Sequence, residues 1–316
     1  MFIHKSQRFY LLILSMLLPV VNITKCILCS GDQTYFTHMC SRLLDSYIQV
    51  INMEYKRQKK QEKRIIYYEN ELEDEFSEAQ ITPRKIDENY QYEGGVMRRL
   101  GRIFWYHIIA KPLAAIFLKI KYQHKIVNRE CLKAAKETGF FLYGNHTNAI
   151  ADALIPTMIC RPTGVYVIVH PNNVSMPVLG RITPSLGALP LPDDKPAMKN
   201  FSTAMEHILA KRNCITIYPE AHIWPYYTKI RNFKDTSFRY PVKLDVPVYC
   251  FTNTYQKKRR GNTPRIVTYV DGPFYADKNL SVREQKQQLH EQVMASMKKY
   301  SRNSNVELIQ YIKKEE

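Results

Sequence analysis

The apolar run Phe140-Phe141-Leu142-Tyr143 stops at Gly144-Asn145-His146-Thr147-Asn148-Ala149-Ile150-Ala151-Asp152. Four apolar residues closed by Gly-Asn read as a short buried strand. The polar residues that follow are then held at the rim of a sheet. The same pattern returns where Ile215-Thr216-Ile217 runs into Tyr218-Pro219-Glu220-Ala221-His222. Two strands that each end in a polar cluster favour an α/β sheet whose strand ends share one crevice.

The rest of the chain fits that class. Val165 to Val169, Ile215 to Tyr218, Pro247 to Phe251 and Ile266 to Val270 read as further strands. Pro196 to Lys211 places Met198, Phe201, Met205, Ile208 and Leu209 at helical spacing. Ser281-Val282-Arg283-Glu284 is a capping box that opens a helix with Leu289, Val293, Met297 and Tyr300 on one face. Alternating strands and helices predict one α/β domain with a mostly buried mixed sheet flanked by helices.

The 46 Lys+Arg against 29 Asp+Glu leave a formal charge of +17. Such a field favours anionic partners: a bilayer surface, phosphate-bearing substrates or nucleic acid. The basic clusters Lys56 to Arg64 and Lys257 to Arg260 lack the interleaved aromatics of a single-strand platform, which argues against nucleic acid. Seven scattered cysteines fit a reduced compartment better than a disulfide framework. Cys26 and Cys29, with His38 and Cys40 nearby, complete no zinc pattern, so no metal is expected.

Lys5 and Arg8 precede an apolar run, Phe9 to Val21, that as a helix covers roughly 20 Å, short of the ~30 Å hydrocarbon core. Residues 1–52 read as a peripheral hydrophobic segment, a signal-type segment or an extraneous extension. Residues 53–99 read as a charged arm, with a basic run to Arg64, an acidic run from Glu69 to Glu78 and a break at Gly94-Gly95. Leu100 to Tyr122 mixes aromatic and aliphatic residues with Arg102, Lys111, Lys119 and Lys121, and Pro112 divides it. It reads as a helix pair, either amphipathic at a membrane interface or packed on the core.

The chemistry centres on His146. A neutral imidazole oriented by a carboxylate can take the proton of an alcohol that attacks a thioester carbonyl. His146 and Asp152 supply such a pair if the intervening loop curls, which the small residues Asn148, Ala149 and Ala151 permit. The plainer alternative is that His146 ends a strand and Asp152 caps a helix. No Gly-x-Ser-x-Gly elbow is present, which disfavours a serine hydrolase. A noncatalytic binder of anionic lipid is the remaining reading from another class.

Four blocks together resemble the glycerolipid acyltransferase superfamily, specifically the 1-acylglycerol-3-phosphate O-acyltransferase family in a divergent, bacterial-type form. They are Asn145-His146-Thr147 with Asp152; Gly187-Ala188-Leu189-Pro190-Leu191; Tyr218-Pro219-Glu220-Ala221-His222 with the following Phe233-Lys234-Asp235-Thr236-Ser237-Phe238; and Val246-Pro247-Val248-Tyr249-Cys250. The resemblance covers residues 100–275. It implies an acyltransferase domain over 123–316, on the cytoplasmic face of a membrane. Such an enzyme moves a fatty acyl group from acyl-CoA or acyl carrier protein to a lysophospholipid in phospholipid biosynthesis, with no cofactor. The resemblance implies that His146 is the base and Asp152 its orienting partner. It implies substrate-binding roles for Glu220, Asn145, Thr147, Arg181, Gly187, Pro219, His222 and Lys234.

The chain departs from the family pattern. Five residues separate His146 from Asp152 where the family has four. A bacterial branch shares the longer spacing. Ala221, His222 and Ile223 stand where the family has Gly, Thr and Arg, and Asp193 stands for a second Arg. Either Arg181, Lys229, Arg231 or Lys234 replaces the two arginines at the acceptor phosphate, or the acceptor is not a simple phosphate ester. Bidentate arginine chemistry does not pass to lysine without loss.

Overall fold

The structure is a computed structural model that describes residues 64–76, 82–160, 163–176, 179–259, 261 and 263–314. The chain divides into two compact units, and the described residues belong almost wholly to the second, 65–77 with 81–316. The expectations for residues 1–52, including the Cys26 to Cys40 cluster, lie outside the described residues, as does the basic run before Arg64.

Nine strands are named in chain order among the described residues: β1 Arg64–Tyr68, β2 Lys125–Val127, β3 Phe140–Gly144, β4 Val165–Val169, β5 Ala188–Pro190, β6 Cys214–Ile217, β7 Val248–Gln256, β8 Arg265–Phe274 and β9 Ile309–Lys313. The helices are α1 Val96–Tyr122, α2 Ala151–Ile159, α3 Asn172–Ser175, α4 Leu179–Leu186, α5 Lys195–Ala210, α6 Arg239–Leu244 and α7 Val282–Ser301. Seven strands form one sheet in the order β2-β8-β7-β3-β6-β4-β5. Every neighbouring pair is parallel except β7 with β8. This is the mixed α/β sheet that the alternating pattern predicts.

β3 is buried at all five positions because helices cover both faces, as a central parallel strand requires. Phe141 and Tyr143 join one core cluster with Phe201 and Met205 of α5 and Val293 and Met297 of α7. Phe140 and Leu142 join the other, with Ile155 and Ile159 of α2 and Leu118 and Tyr122 of α1. β6 and β7 flank β3, so the polar segments after all three strands meet at one edge. The capping box at α7 forms as expected: Glu284 N–H donates to Ser281 Oγ, and Glu284 Oε2 accepts from Ser281 N–H at 2.9 Å.

The helical segment expected over 100–122 is present: two α-helical stretches, Val96–Gly101 and Lys111–Tyr122, are joined without a break through Arg102–Ala110, where the hydrogen-bonding step widens to π geometry. Lys111 N–H donates to Tyr106 O, five residues back, immediately before Pro112, which has no N–H to offer. The π segment keeps an outer stripe in line: Met97, Leu100, Ile103, Ile108, Leu113, Ile116 and Ile120 are all exposed. Their five-residue steps fall in and just beyond the π turns, where a pure α-helix would rotate them off one face. On the inner side Arg102 donates to Val165 O at 3.0 Å, and Tyr106 OH lies 3.2 Å from Thr157 Oγ1.

The charged arm expected over 53–99 is described at 64–76 and from 82 onward. Its described part is bound into the fold. β1 pairs with β9, Glu71 Oε1 accepts from Asn232 N–H at 3.2 Å, and Glu75 Oε2 accepts from Ile223 N–H at 3.0 Å. Tyr68 and Phe76 pack their rings on Trp224. Glu71 and Glu75 of the acidic run thus accept main-chain donors of the segment after β6, while Glu69 and Glu73 stay exposed.

Candidate active site

β3 ends at Gly144 because the chain must turn past Phe251 on β7. A Cβ there would lie 2.1 Å from the Phe251 ring. Asn145 then locks onto β7 in both directions. Its Oδ1 accepts from Asn253 N–H at 2.7 Å and its Nδ2 donates to Asn253 O at 3.1 Å. Thr147 is buried, with Oγ1 2.8 Å from the Tyr255 hydroxyl. Asn145 and Thr147, expected near substrate, have their polar atoms turned into the framework.

The loop after His146 curls around Asp152. One oxygen, Oδ2, accepts from Thr147 N–H and Asn148 N–H, each at 2.8 Å, and lies 2.9 Å from His146 Nδ1. The other, Oδ1, accepts from Asn253 Nδ2 at 3.1 Å. Asn148 Oδ1 in turn accepts from Ala151 N–H at 3.0 Å, at the first residue of α2. The extra residue between His146 and Asp152 is thereby absorbed in a hydrogen-bonded turn. Asp152 sits in the first turn of α2, where the helix dipole favours negative charge.

Asp152 is 1 % exposed, while the His146 side chain keeps 19 % of its surface in solvent. With Asp152 as acceptor, Nδ1 carries the proton and Nε2 presents its lone pair. The imidazole stacks on Tyr218, ring centroids 4.4 Å apart and planes 20° apart. Burial pushes the Tyr218 phenol well above its ordinary range, so it remains a neutral donor to Asp152 O.

A chain of hydrogen bonds runs on from Asp152, through residues the sequence did not single out. Asn253 Oδ1 accepts from Thr268 Oγ1 at 2.7 Å, and Thr268 Oγ1 lies 2.9 Å from His124 Nε2. Burial lowers the His124 pKa to about 4, so it is neutral near pH 7. The order is fixed throughout. His124 donates to Thr268, Thr268 to Asn253, and Asn253 to Asp152, which also accepts from His146. Asn253 and Thr268 face one another across β7 and β8. No linear motif joins them, and only strand register reveals the pair.

The segment after β6 supplies the second carboxylate. Glu220 is buried. Its Oε2 accepts from His146 N–H at 2.9 Å and lies 3.3 Å from the Arg231 guanidinium, and its Oε1 accepts from Arg231 N–H at 3.0 Å. Burial, the largest influence, raises the Glu220 pKa, while Arg231 and both main-chain donors pull it down. Trp224 N–H donates to His146 O at 3.2 Å and Tyr226 N–H to Thr147 O at 2.8 Å. The third sequence block thus grips the main chain of the first. Ala221, where the family carries Gly, adopts φ +61, a conformation that glycine takes without steric cost.

The other expected residues are dispersed. Arg231, one proposed substitute for the missing arginines, is fully buried against Glu220 and Trp224 and is closed to a substrate phosphate. Arg181 on α4, Lys229 and Lys234 are exposed. His222 is part-exposed, with Nδ1 3.5 Å from Glu75 Oε2. Pro219 is part-buried between Tyr218 and Glu220. Gly187 has φ +102 and passes so close to Val165 O that a Cβ would lie 2.4 Å from it, so backbone geometry accounts for this glycine. Trp224 is a core post, stacked on Tyr311 with centroids 4.9 Å apart.

Residues 123–253 match the model of the family described as Acyltransferase. Among solved structures, the chain is similar to the 1-acyl-sn-glycerophosphate (LPA) acyltransferase PlsC from Thermotoga maritima. The two share 16% identity and a TM-score of 0.47, over 64% of this chain and 82% of that one. No curated protein matches the sequence. The match spans 131 of the 316 residues, so the similarity to the acyltransferase family holds for the segment 123–253, which carries His146, Asp152 and Glu220.

Proposed function

We propose that this protein transfers a fatty acyl group from a thioester carrier, acyl-CoA or acyl carrier protein, to the hydroxyl of a lysophospholipid. The first acceptor to test is 1-acylglycerol-3-phosphate. The observation that carries the reading is the 2.9 Å contact between His146 Nδ1 and a buried Asp152. It leaves Nε2 as a base at the rim of the sheet.

In this mechanism the acceptor hydroxyl gives its proton to His146 Nε2 as its oxygen attacks the thioester carbonyl. Asp152 stabilises the imidazolium that forms, and its other hydrogen bonds keep it from moving toward the proton. When the tetrahedral intermediate collapses, the C–S bond breaks and the departing thiolate takes the proton back from Nε2. No acyl-enzyme forms. The turn at 146–148 is held by Glu220 from one side and Asp152 from the other, which is preorganisation of the base. Arg181, Lys229 and Lys234 are the cations left for an acceptor phosphate, since Arg231 is committed to Glu220.

The exposed stripe of α1 supports membrane association. The helix has 27 residues with a hydropathy of 1.5 over its most apolar window, long and apolar enough to cross a bilayer. Its inner side, however, is occupied from Arg102 to Tyr122 by the α/β domain, which favours a helix lying in the interface with only the stripe in lipid. Basic residues near such a surface contribute about 1 kcal/mol each on an anionic leaflet.

The test is acyl transfer by the purified full chain over a panel of lyso-acceptors, with products identified by mass spectrometry. His146→Ala is expected to lower kcat by about 10²–10⁴ with unchanged circular dichroism. Near-normal turnover in a folded His146→Ala variant would sink the proposal.

A further inference from the structure

A recess of about 540 Å³ opens between the end of α1 and the β7–β8 connection. Its lining is Gln123, Lys257, Lys258, Arg259 and Arg265, with no acidic side chain among the described residues. Arg265 Nε is buried and makes no hydrogen bond. Burial, the larger influence, and the nearby Lys121 charge both lower the Lys258 pKa, and Lys258 Nζ donates to Lys121 O at the rim of the recess. A buried guanidinium N–H without an acceptor and converging cations both suit a phosphate group.

Position says which phosphate. The recess lies at the sheet edge that carries His146, because β7 ends there and the antiparallel β8 begins there. Asn253 bonds Asp152; Arg265 faces Gln256, three residues further along β7, and Lys258 is five residues beyond Asn253. At strand rise the recess is therefore roughly 10–17 Å from the His146–Asp152 pair. The reacting hydroxyl of a 1-acylglycerol-3-phosphate sits on the carbon next to the one that carries phosphate. That phosphate cannot reach the recess while the hydroxyl meets His146. In an acyl-CoA a long pantetheine arm separates the thioester from the nucleotide phosphates, as this spacing demands. The tie between Tyr122 OH and Asn148 Nδ2 at 3.3 Å, one residue before Gln123, connects the recess to the catalytic loop.

We propose that this recess binds the nucleotide phosphates of an acyl-CoA donor. The proposal rests on the acyl-transfer reading for its physiological role but is testable apart from it. Adenosine 3′,5′-bisphosphate is titrated calorimetrically into the full chain and into two variants, Lys258→Gln/Arg265→Gln and the less invasive Lys257→Ala/Arg259→Ala. Both variants are expected to bind at least about tenfold more weakly. In turnover assays their KM for acyl-CoA should rise by a similar factor, while kcat and the acceptor KM hold. Wild type should favour acyl-CoA over the thioester of dephospho-CoA, and the variants should lose that preference.

Undiminished bisphosphate binding in both variants would overturn the proposal. So would a KM rise confined to the acceptor, or variants that lose only their cosedimentation with phosphatidylglycerol vesicles, which would make the recess a bilayer contact. A wild-type chain that binds the bisphosphate yet transfers no acyl group would refute the proposed activity and leave the recess assignment standing.

Discussion

Asp152 and Glu220 are both buried carboxylates, and both accept main-chain N–H groups from the three residues 146–148. They differ in what faces them. Asp152 meets a part-exposed imidazole and a neutral amide, so its charge is free to respond when His146 gains a proton. Glu220 meets the permanent charge of a buried Arg231, and the pair is already complete. The first arrangement is built for a changing charge and the second for a constant one. Under the proposed mechanism, two carboxylates in one shell serve chemistry and scaffold separately, according to the neighbour each is given.

The sharpest way to break that comparison is Glu220→Gln, which strands the Arg231 charge in the core. Stability should fall by about 3–5 kcal/mol, read as the urea midpoint, while kcat per folded molecule changes little. A large kcat loss without destabilisation would show that Glu220 belongs to the chemistry. Asp152→Asn should act the other way, lowering kcat by about 10²-fold. Its amide cannot suit all four donors: with oxygen toward His146, its NH₂ confronts Asn253 Nδ2, which Thr268 prevents from flipping. Steady-state kinetics showing less than a few-fold change would remove Asp152 from its role.

A smaller effect is expected at Asn253. Asn253→Ala removes one charge-assisted hydrogen bond from Asp152 and should lower kcat by about tenfold, with a small change in KM. An effect confined to melting temperature would reduce the chain to packing. The smallest effect concerns pH. His124 is neutral in the fold with a pKa of about 4 against 6.5 unfolded. The unfolded chain therefore binds the extra proton between these values. The stability is fully present above pH 6.5 and is lost as pH falls toward 4, by about 1 kcal/mol at pH 5.5. His124→Gln should flatten denaturation midpoints over that window. An unchanged slope would mean that His124 titrates normally.

Much of this architecture was legible in the sequence. Strand β3 and the polar turn after it follow from four apolar residues closed by Gly-Asn. The capping box at Ser281 follows from local chemistry within four residues. Less legible was anything that depends on register. Asn253 lies inside a strand that reads as plain core, and Thr268 looks like any β-branched residue. His124 stands between helix and strand with no motif around it. The contacts of the charged run at 69–75 were hidden for the same reason: the partners of Glu71 and Glu75, Asn232 and Ile223, lie far along the chain. The π turns of α1 were equally hidden, because a proline marks a disturbance without saying how the backbone absorbs it.

By itself, then, the sequence determined the α/β class and the two polar clusters, because these rest on periodicity and on residues close in the chain, while the pairing of His146 with Asp152 came from the family resemblance. Only the tertiary structure decided that Arg231 is spent on Glu220, that Asn253, Thr268 and His124 stand behind Asp152, and that Lys257, Lys258 and Arg259 of the β7–β8 connection meet Arg265 of β8 beside the sheet edge that carries His146. Those outcomes depend on which strands become neighbours and in what register. That choice is made by burial of the whole sheet, and no short stretch of the chain encodes it.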